Sequence, residues 1–260
     1  MIMMETCARQ YWYRSLRIVP KEKAKNMMLG NIRHSGFEHT IRTNTPAVCD
    51  DPRLTEQETK SINAEFSAFY NWWLESDLIP LSFKDGMLAV ELNIEAEHPD
   101  DPSVILNTKL DLAAVDSHDM VYLLDWKSGK TNTSQTFVDH SDQLSFMEVV
   151  LEPYLKGLGI KQVDRLGIVE SKAPTKMRKE AKVIGPIWSY RRSPQQINDL
   201  LSKALAIADR IRRQEFFMTS RYAFNSPCNM CDYAKLCQSA KAAQSYNNRD
   251  GVEIPIGIMD

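Results

Sequence analysis

The stretch VYLLDWKSGK, residues 121–130, restricts the fold of this chain more than any other, because four apolar residues run without a turn into an acid, a tryptophan and a base. Val121 to Leu124 read as a buried strand, and an unpaired charge at the end of such a strand is costly to desolvate. Residues two apart on a strand share a face, so Asp125 and Lys127 point one way and Trp126 the other. A bound partner is therefore expected beside Asp125 and Lys127.

The preceding strand-like run, 103–115, is joined to this one by the short polar stretch Asp116-Ser117-His118-Asp119, which reads as the turn of an antiparallel hairpin. If that turn holds an odd number of residues centred on His118, Asp111 stands directly opposite Asp125 and both carboxylates face one side. An even-numbered turn would place them on opposite faces. Two carboxylates whose Cα atoms are about 4.5–5.5 Å apart repel one another unless a cation lies between them. Such oxygen ligands suit Mg2+ or Mn2+, which can polarise a phosphodiester and activate a bound water. Lys127 would orient that water or neutralise charge developing on phosphate. This chemistry requires the odd turn. Taken alone, the residues also fit a strand-end acid (Asp111) and a surface ion pair (Asp125 with Lys127), so their context must decide.

The other elements define an α/β chain. Thr55 with Glu58 forms a capping box, followed by Ile62, Phe66, Phe69, Tyr70, Trp73 and Leu74 at helical spacing, so 55–76 is an amphipathic helix with its aromatics in the core. Strands are expected at 87–95, 103–115, 120–127, 163–170 and 183–190. A helix is expected at 141–152, ending near Pro153, and another begins at Ser193. This order suits a mixed central β-sheet flanked by helices.

With 260 residues, 43% of them hydrophobic, the chain can bury one large core. Its 32 basic and 34 acidic residues nearly cancel, so a nucleic acid would be held by local basic patches. No apolar run is long enough for a bilayer or a signal peptide, so no membrane partner and a cytoplasmic location are expected. Cys228, Cys231 and Cys237 crowd one short segment, which in a reducing compartment points to metal binding.

Read in order, CARQYWYR (7–14), LGNIRH (29–34), KLD (109–111), LLDWKSG (123–129), a helical Gln143 and CNMCDYAKLC (228–237) resemble the PD-(D/E)XK nuclease superfamily. Within it they resemble the RecB-like, AddB-like branch with an iron–sulfur staple, which includes nucleases of CRISPR adaptation and phage exonucleases. The likeness covers about residues 7 to 237. It implies a restriction-endonuclease-like core in which His34 (of Gly30-x-x-x-His34), Asp111, Asp125 and the main-chain carbonyl of Trp126 hold the catalytic Mg2+ or Mn2+. It implies that Lys127 and Gln143 organise the water and the scissile phosphate. The family's Gln-x-x-x-Tyr motif here has Met147 as its fifth residue, which puts the DNA-positioning role of that turn in doubt; Tyr154, two turns on, could face the same way. Glu91 is an accessory acid or, more commonly for such a position, a solvent-facing strand residue. His39 and His140 are read as satisfied structural histidines with no ligand role.

A fourth ligand is needed for the cysteine segment, and the resemblance supplies Cys7. Four cysteines fit a [4Fe–4S] cluster, and they fit structural zinc almost as well. Iron is preferred on the resemblance alone, with a structural role that ties the chain's ends together. Cys49 is read as a free thiol. The basic stretches 171–182 and Arg14, Arg17, Lys21, Lys23 and Lys25 would follow a phosphate backbone or are solvated charge. Trp12, Tyr13, Trp72 and Trp73 would stack on bases or lie in the core.

The expectation is a single nuclease domain spanning 1–260. Its core covers about 28–190, its cluster-bearing segments about 1–27 and 191–240, and a polar tail 241–260. The resemblance implies a metal-dependent DNA exonuclease acting on ends or single strands in recombination, repair or replication, with a helicase or recombination partner, in a bacterium, archaeon or phage-infected host. The alternative is a DNA-binding or complex-forming protein with a vestigial site and a structural cluster.

Overall fold

The computed structural model describes residues 7–16, 18–20, 25–129, 132–219, 226–238 and 246–248. In chain order these form helix α1 (Ala8–Ser15), strand β1 (Ile18–Pro20), helices α2 (Lys25–Thr43) and α3 (Glu56–Glu75), and strands β2 (Ile79–Pro80), β3 (Val90–His98), β4 (Asp101–Val115) and β5 (Val121–Ser128). Helices α4 (Gln135–Asp139) and α5 (Asp142–Gly157), strands β6 (Arg165–Lys172) and β7 (Lys182–Tyr190), helices α6 (Pro194–Arg212) and α7 (Ala234–Gln238) and strand β8 (Tyr246–Asn248) follow. The chain divides into two compact units, one of Met28–Leu200 and one of Met1–Met27 with Leu201–Asp260.

The larger unit is a six-stranded mixed sheet in the order β2-β4-β5-β6-β7, with β3 also paired to β4. Only β5 and β6 run parallel, and α4 and α5 form the crossover that a parallel pair requires. The β4–β5 register pairs Leu112 with Leu124 and Val115 with Val121, so the hairpin is centred on His118, as the odd turn demands. Even-numbered Leu112, Ala114, Leu124 and Trp126 join Phe37 of α2 and Ile62, Phe66, Phe69 and Trp73 of α3 in one apolar cluster. The odd-numbered face of β4 and β5 is turned to α5.

Several expectations on extent needed correction. Helix α5 does not stop near Pro153 but runs through it to Gly157. Leu155 is buried beyond the proline, and the Tyr154 hydroxyl donates to the main-chain oxygen of Glu95 at 3.0 Å, so tertiary contacts outweigh one lost helical hydrogen bond. Tyr154 is thereby fixed to β3. The first of the expected strands begins at Val90, not 87, and the short sheet strand β2 before it was not expected. In the smaller unit, Tyr246–Asn248 pairs antiparallel with Ile18–Pro20, so that part of the expected polar tail is a strand. Tyr13, Ile18, Tyr233 and Leu236 form the core there. Arg17, Lys21, Lys23 and the remainder of the tail lie outside the described residues. Tyr13 and Trp73 are buried, which supports their core reading.

Helix α2 approaches α3 closely because Gly36 has no side chain: a Cβ there would lie 2.1 Å from two atoms of the Phe66 ring. The Arg33 guanidinium, one residue before His34, grips the buried Glu65 carboxylate of α3 through Nε and Nη2, with Nη2 2.6 Å from Oε1. Ser171 of β6 donates to the same carboxylate at 2.9 Å, so the rotation of α2 is fixed against both α3 and the sheet. Gly36→Ala should destabilise the fold by about 1–3 kcal/mol through overpacking, measured by urea unfolding; an unchanged midpoint would contradict this packing.

Candidate active site

The β4–β5 ladder ends at the Leu112–Leu124 pair, and the same register carried one step further sets Asp111 opposite Asp125. Beyond the ladder the Trp126 N–H has no strand partner on β4 and donates instead to Asp111 Oδ2 at 2.9 Å. Both aspartates are almost fully buried. Burial first, and then the charge of Asp125, push the Asp111 carboxyl well above its ordinary value.

Asp125 is held by two neighbours on its own face. Lys127 Nζ lies 2.7 Å from Asp125 Oδ2, and the Gln143 amide donates to Asp125 Oδ1 at 2.6 Å. The amide oxygen of Gln143 accepts from Lys127 Nζ at 2.8 Å, closing a triangle. Gln143 occupies the first turn of α5 because Ser141 caps that helix, accepting from the Leu144 N–H. The expected Asp125, Lys127 and Gln143 therefore come together.

His34, Glu91 and Asp111 form the second half of the site, each offering one ligand atom within 4.8 Å of the others. His34 Nδ1 is 2.6 Å from Glu91 Oε1 and 3.7 Å from Asp111 Oδ1. Burial alone would lower the His34 pKa, but its bond to Glu91 and the charges of Asp111, Glu91 and Asp125 outweigh it and raise the value. The Trp126 indole N–H donates to Glu91 Oε1 at 2.9 Å, and Lys109 pairs with Glu91 Oε2. The indole also packs edge-on against Phe37 and Phe69, so the apolar cluster orients the polar site.

Glu91 corrects the sequence reading, which favoured solvent for it. Its side chain is 2% exposed. Alternation with Val90, Leu92 and Ile94 made it look like the wet face of a strand, but its φ of 50° interrupts that pattern between the Val90–Leu112 and Leu92–Leu110 pairs. Met147 is fully buried and presents no polar group, and Tyr154 is engaged with β3.

A histidine and carboxylates are a hard, oxygen-rich donor set that suits a divalent cation, and the buried, mutually repelling carboxylates fit one better than they fit water.

In the smaller unit all the cysteines, like Cys49 in the larger, are free thiols. Cys7 is the N-cap residue of α1; burial would raise its pKa, but main-chain N–H groups of Thr219, Gln10 and Arg9 outweigh burial and lower it. Burial pushes the Cys231 and Cys237 thiols up, and the charges of Cys7 and Cys228 act in the same direction on both. Of the five bases in 171–182, Lys172 is buried in an ion pair with Glu170, and Arg178 folds back onto the Ala173 carbonyl; Lys176, Lys179 and Lys182 remain exposed.

A family model for the PD-(D/E)XK nuclease superfamily matches residues 3–238. No curated protein matches the chain. A solved structure titled "Crystal structure of SSO0001" shares 13% identity over 79% of this chain and 96% of its own, with a TM-score of 0.27, too low to carry an inference. Among the described residues no helix is long and apolar enough to cross a membrane.

Because His34 and Asp111 both hold protons more tightly than their free counterparts, a divalent cation must displace protons on binding, and its affinity should rise with pH. Calorimetric titration between about pH 6 and pH 8 should show up to about tenfold tighter binding per pH unit for each proton displaced. Affinity indifferent to pH would contradict the site.

Proposed function

Because the chain belongs to the PD-(D/E)XK nuclease superfamily, we propose that it is a Mg2+- or Mn2+-dependent deoxyribonuclease, an exonuclease acting on DNA ends or single strands in recombination, repair or replication. The observation that carries this reading is the convergence of Asp111, Asp125, Lys127 and Gln143 at the end of one hairpin, with His34 brought to Asp111 by α2.

His34, Asp111 and Asp125 would hold the cation with the Trp126 carbonyl, and Glu91 either joins them or orients His34. When bound, the cation supplies Lewis-acid polarisation of the phosphate and a more acidic water. The chain's own groups do the remaining work. The Gln143 amide bridges Asp125 and Lys127, so it keeps both on one face of the site while Lys127 Nζ exchanges the Asp125 carboxylate for water or phosphate. The Lys127 ammonium can donate to an attacking water or to a non-bridging phosphate oxygen. The apolar cluster under Trp126 keeps bulk water from the back of the site.

We assign Cys7, Cys228, Cys231 and Cys237 to a [4Fe–4S] cluster, with zinc as the alternative. Free thiols and the main-chain N–H groups that lower the Cys7 pKa support thiolate ligation. A cluster there would link segments more than 200 residues apart and convert metal affinity into folding free energy. The second reading, a protein that binds DNA without cutting it, is favoured by the buried, apolar Met147 in place of the motif tyrosine.

Digestion of end-labelled single- and double-stranded DNA with Mn2+ separates the two readings. Asp125→Ala and Lys127→Ala should each lower kcat/KM by about a thousandfold, while Cys49→Ser leaves it unchanged; binding without turnover under any divalent metal would select the second. Protein stripped of iron should melt at a lower temperature than the coloured anaerobic preparation. Equal melting temperatures would dismiss the structural role of the cluster.

A further inference from the structure

The pair Glu170–Lys172 on β6 has no part in the chemistry above. Their side chains are 2% and 1% exposed, with Lys172 Nζ 2.9 Å from Glu170 Oε1. Replacing such a pair with apolar residues of similar size is often neutral or stabilising, so stability alone does not account for it. Its placement does more. Strands β5 and β6 are parallel and Glu170 is the Cα partner of Lys127, so its side chain leaves the sheet on the face that carries Asp125 and Lys127.

The same oxygen, Oε1, accepts two more hydrogen bonds, from the main-chain N–H and the hydroxyl of Thr133, each 2.8 Å long. Burial would raise the Glu170 carboxyl, but the bonds from Lys172 and Thr133 outweigh it and keep the group anionic. Thr133 lies beyond the segment that leaves β5 at Ser128, and Ser128 is itself the partner of Ser171. Ser128 thus meets β6 at Ser171, and Thr133 meets it again at Glu170. Glu170 Oε2 is also buried and takes no hydrogen bond from any described residue, so all of the donors converge on the oxygen that clamps Thr133.

We propose that Glu170, charge-balanced by Lys172, is a positioning residue of the nuclease site: by holding Thr133 to β6 it fixes the end of β5 on which Lys127 is carried. The assignment rests on the nuclease reading. A catalytic ammonium displaced by about 1 Å loses up to about a hundredfold in rate, and the clamp adds a second hold on β6 beyond the Ser128–Ser171 pair.

The test uses Thr133, because Glu170→Gln strips Lys172 of its counter-charge and risks the fold. Thr133→Val removes one hydrogen bond and leaves the ion pair intact; Thr133→Ser keeps both bonds. With end-labelled DNA and Mn2+, Thr133→Val should lower kcat about tenfold, as expected for one bond to a charged group, with KM for DNA unchanged. Thr133→Ser should restore it. Amide exchange across 128–134, read by mass spectrometry without metal or DNA, should speed up in Thr133→Val and return to the wild-type rate in Thr133→Ser. Wild-type kcat in Thr133→Val, with or without faster exchange, overturns the positioning role while leaving the nuclease reading intact, as does a loss that Thr133→Ser fails to restore. Wild-type protein that cuts no DNA removes both.

Discussion

Two buried carboxylates facing each other where a β-ladder gives out set the terms for the rest of this structure. Asp111 and Asp125 are almost inaccessible to water and stand opposite one another in register, and the charge of one raises the proton affinity of the other. A core of this size does not carry such a pair without compensation, because desolvation and repulsion both oppose it. The compensation is distributed: a main-chain N–H for Asp111, an ammonium and an amide for Asp125, and an imidazole beside Asp111.

Those compensating groups come from both layers around the sheet. Helix α2 brings His34 from one side, oriented by the grip of Arg33 on Glu65; α5 brings Gln143 from the other, oriented by the Ser141 cap. Trp126 joins the layers, with its ring among the phenylalanines and its indole N–H on Glu91. Packing in the apolar cluster and polar geometry at the site are thus one constraint, and a disturbance of α2 or α5 should be felt at the carboxylates.

Much of this was legible in the sequence, for reasons tied to particular residues. The polar run 116–119 marked the hairpin, but spacing left odd and even turns open; the metal chemistry asked for the odd turn, and the register has it. The Thr55 capping box and the aromatic periodicity after it marked α3 to within a residue at each end. Glu91 was not legible, because alternation predicts direction only while the backbone stays extended, and its left-handed φ breaks that rule. Nor was the length of α5: proline normally ends a helix, and the long-range anchors at Leu155 and Tyr154 that keep it going leave no local trace. In the basic stretch 171–182, composition cannot distinguish a lysine turned inward, as Lys172 is to Glu170, from one turned toward solvent.

The central claim is that Asp111 and Asp125 share one divalent ion with His34. The most direct measurement is an anomalous difference map from a crystal of the protein loaded with Mn2+. A single strong peak bonded to both carboxylates and to the imidazole is the predicted result. Manganese bound elsewhere, with Lys127 still occupying the Asp125 carboxylate and no density between the two aspartates, would contradict it.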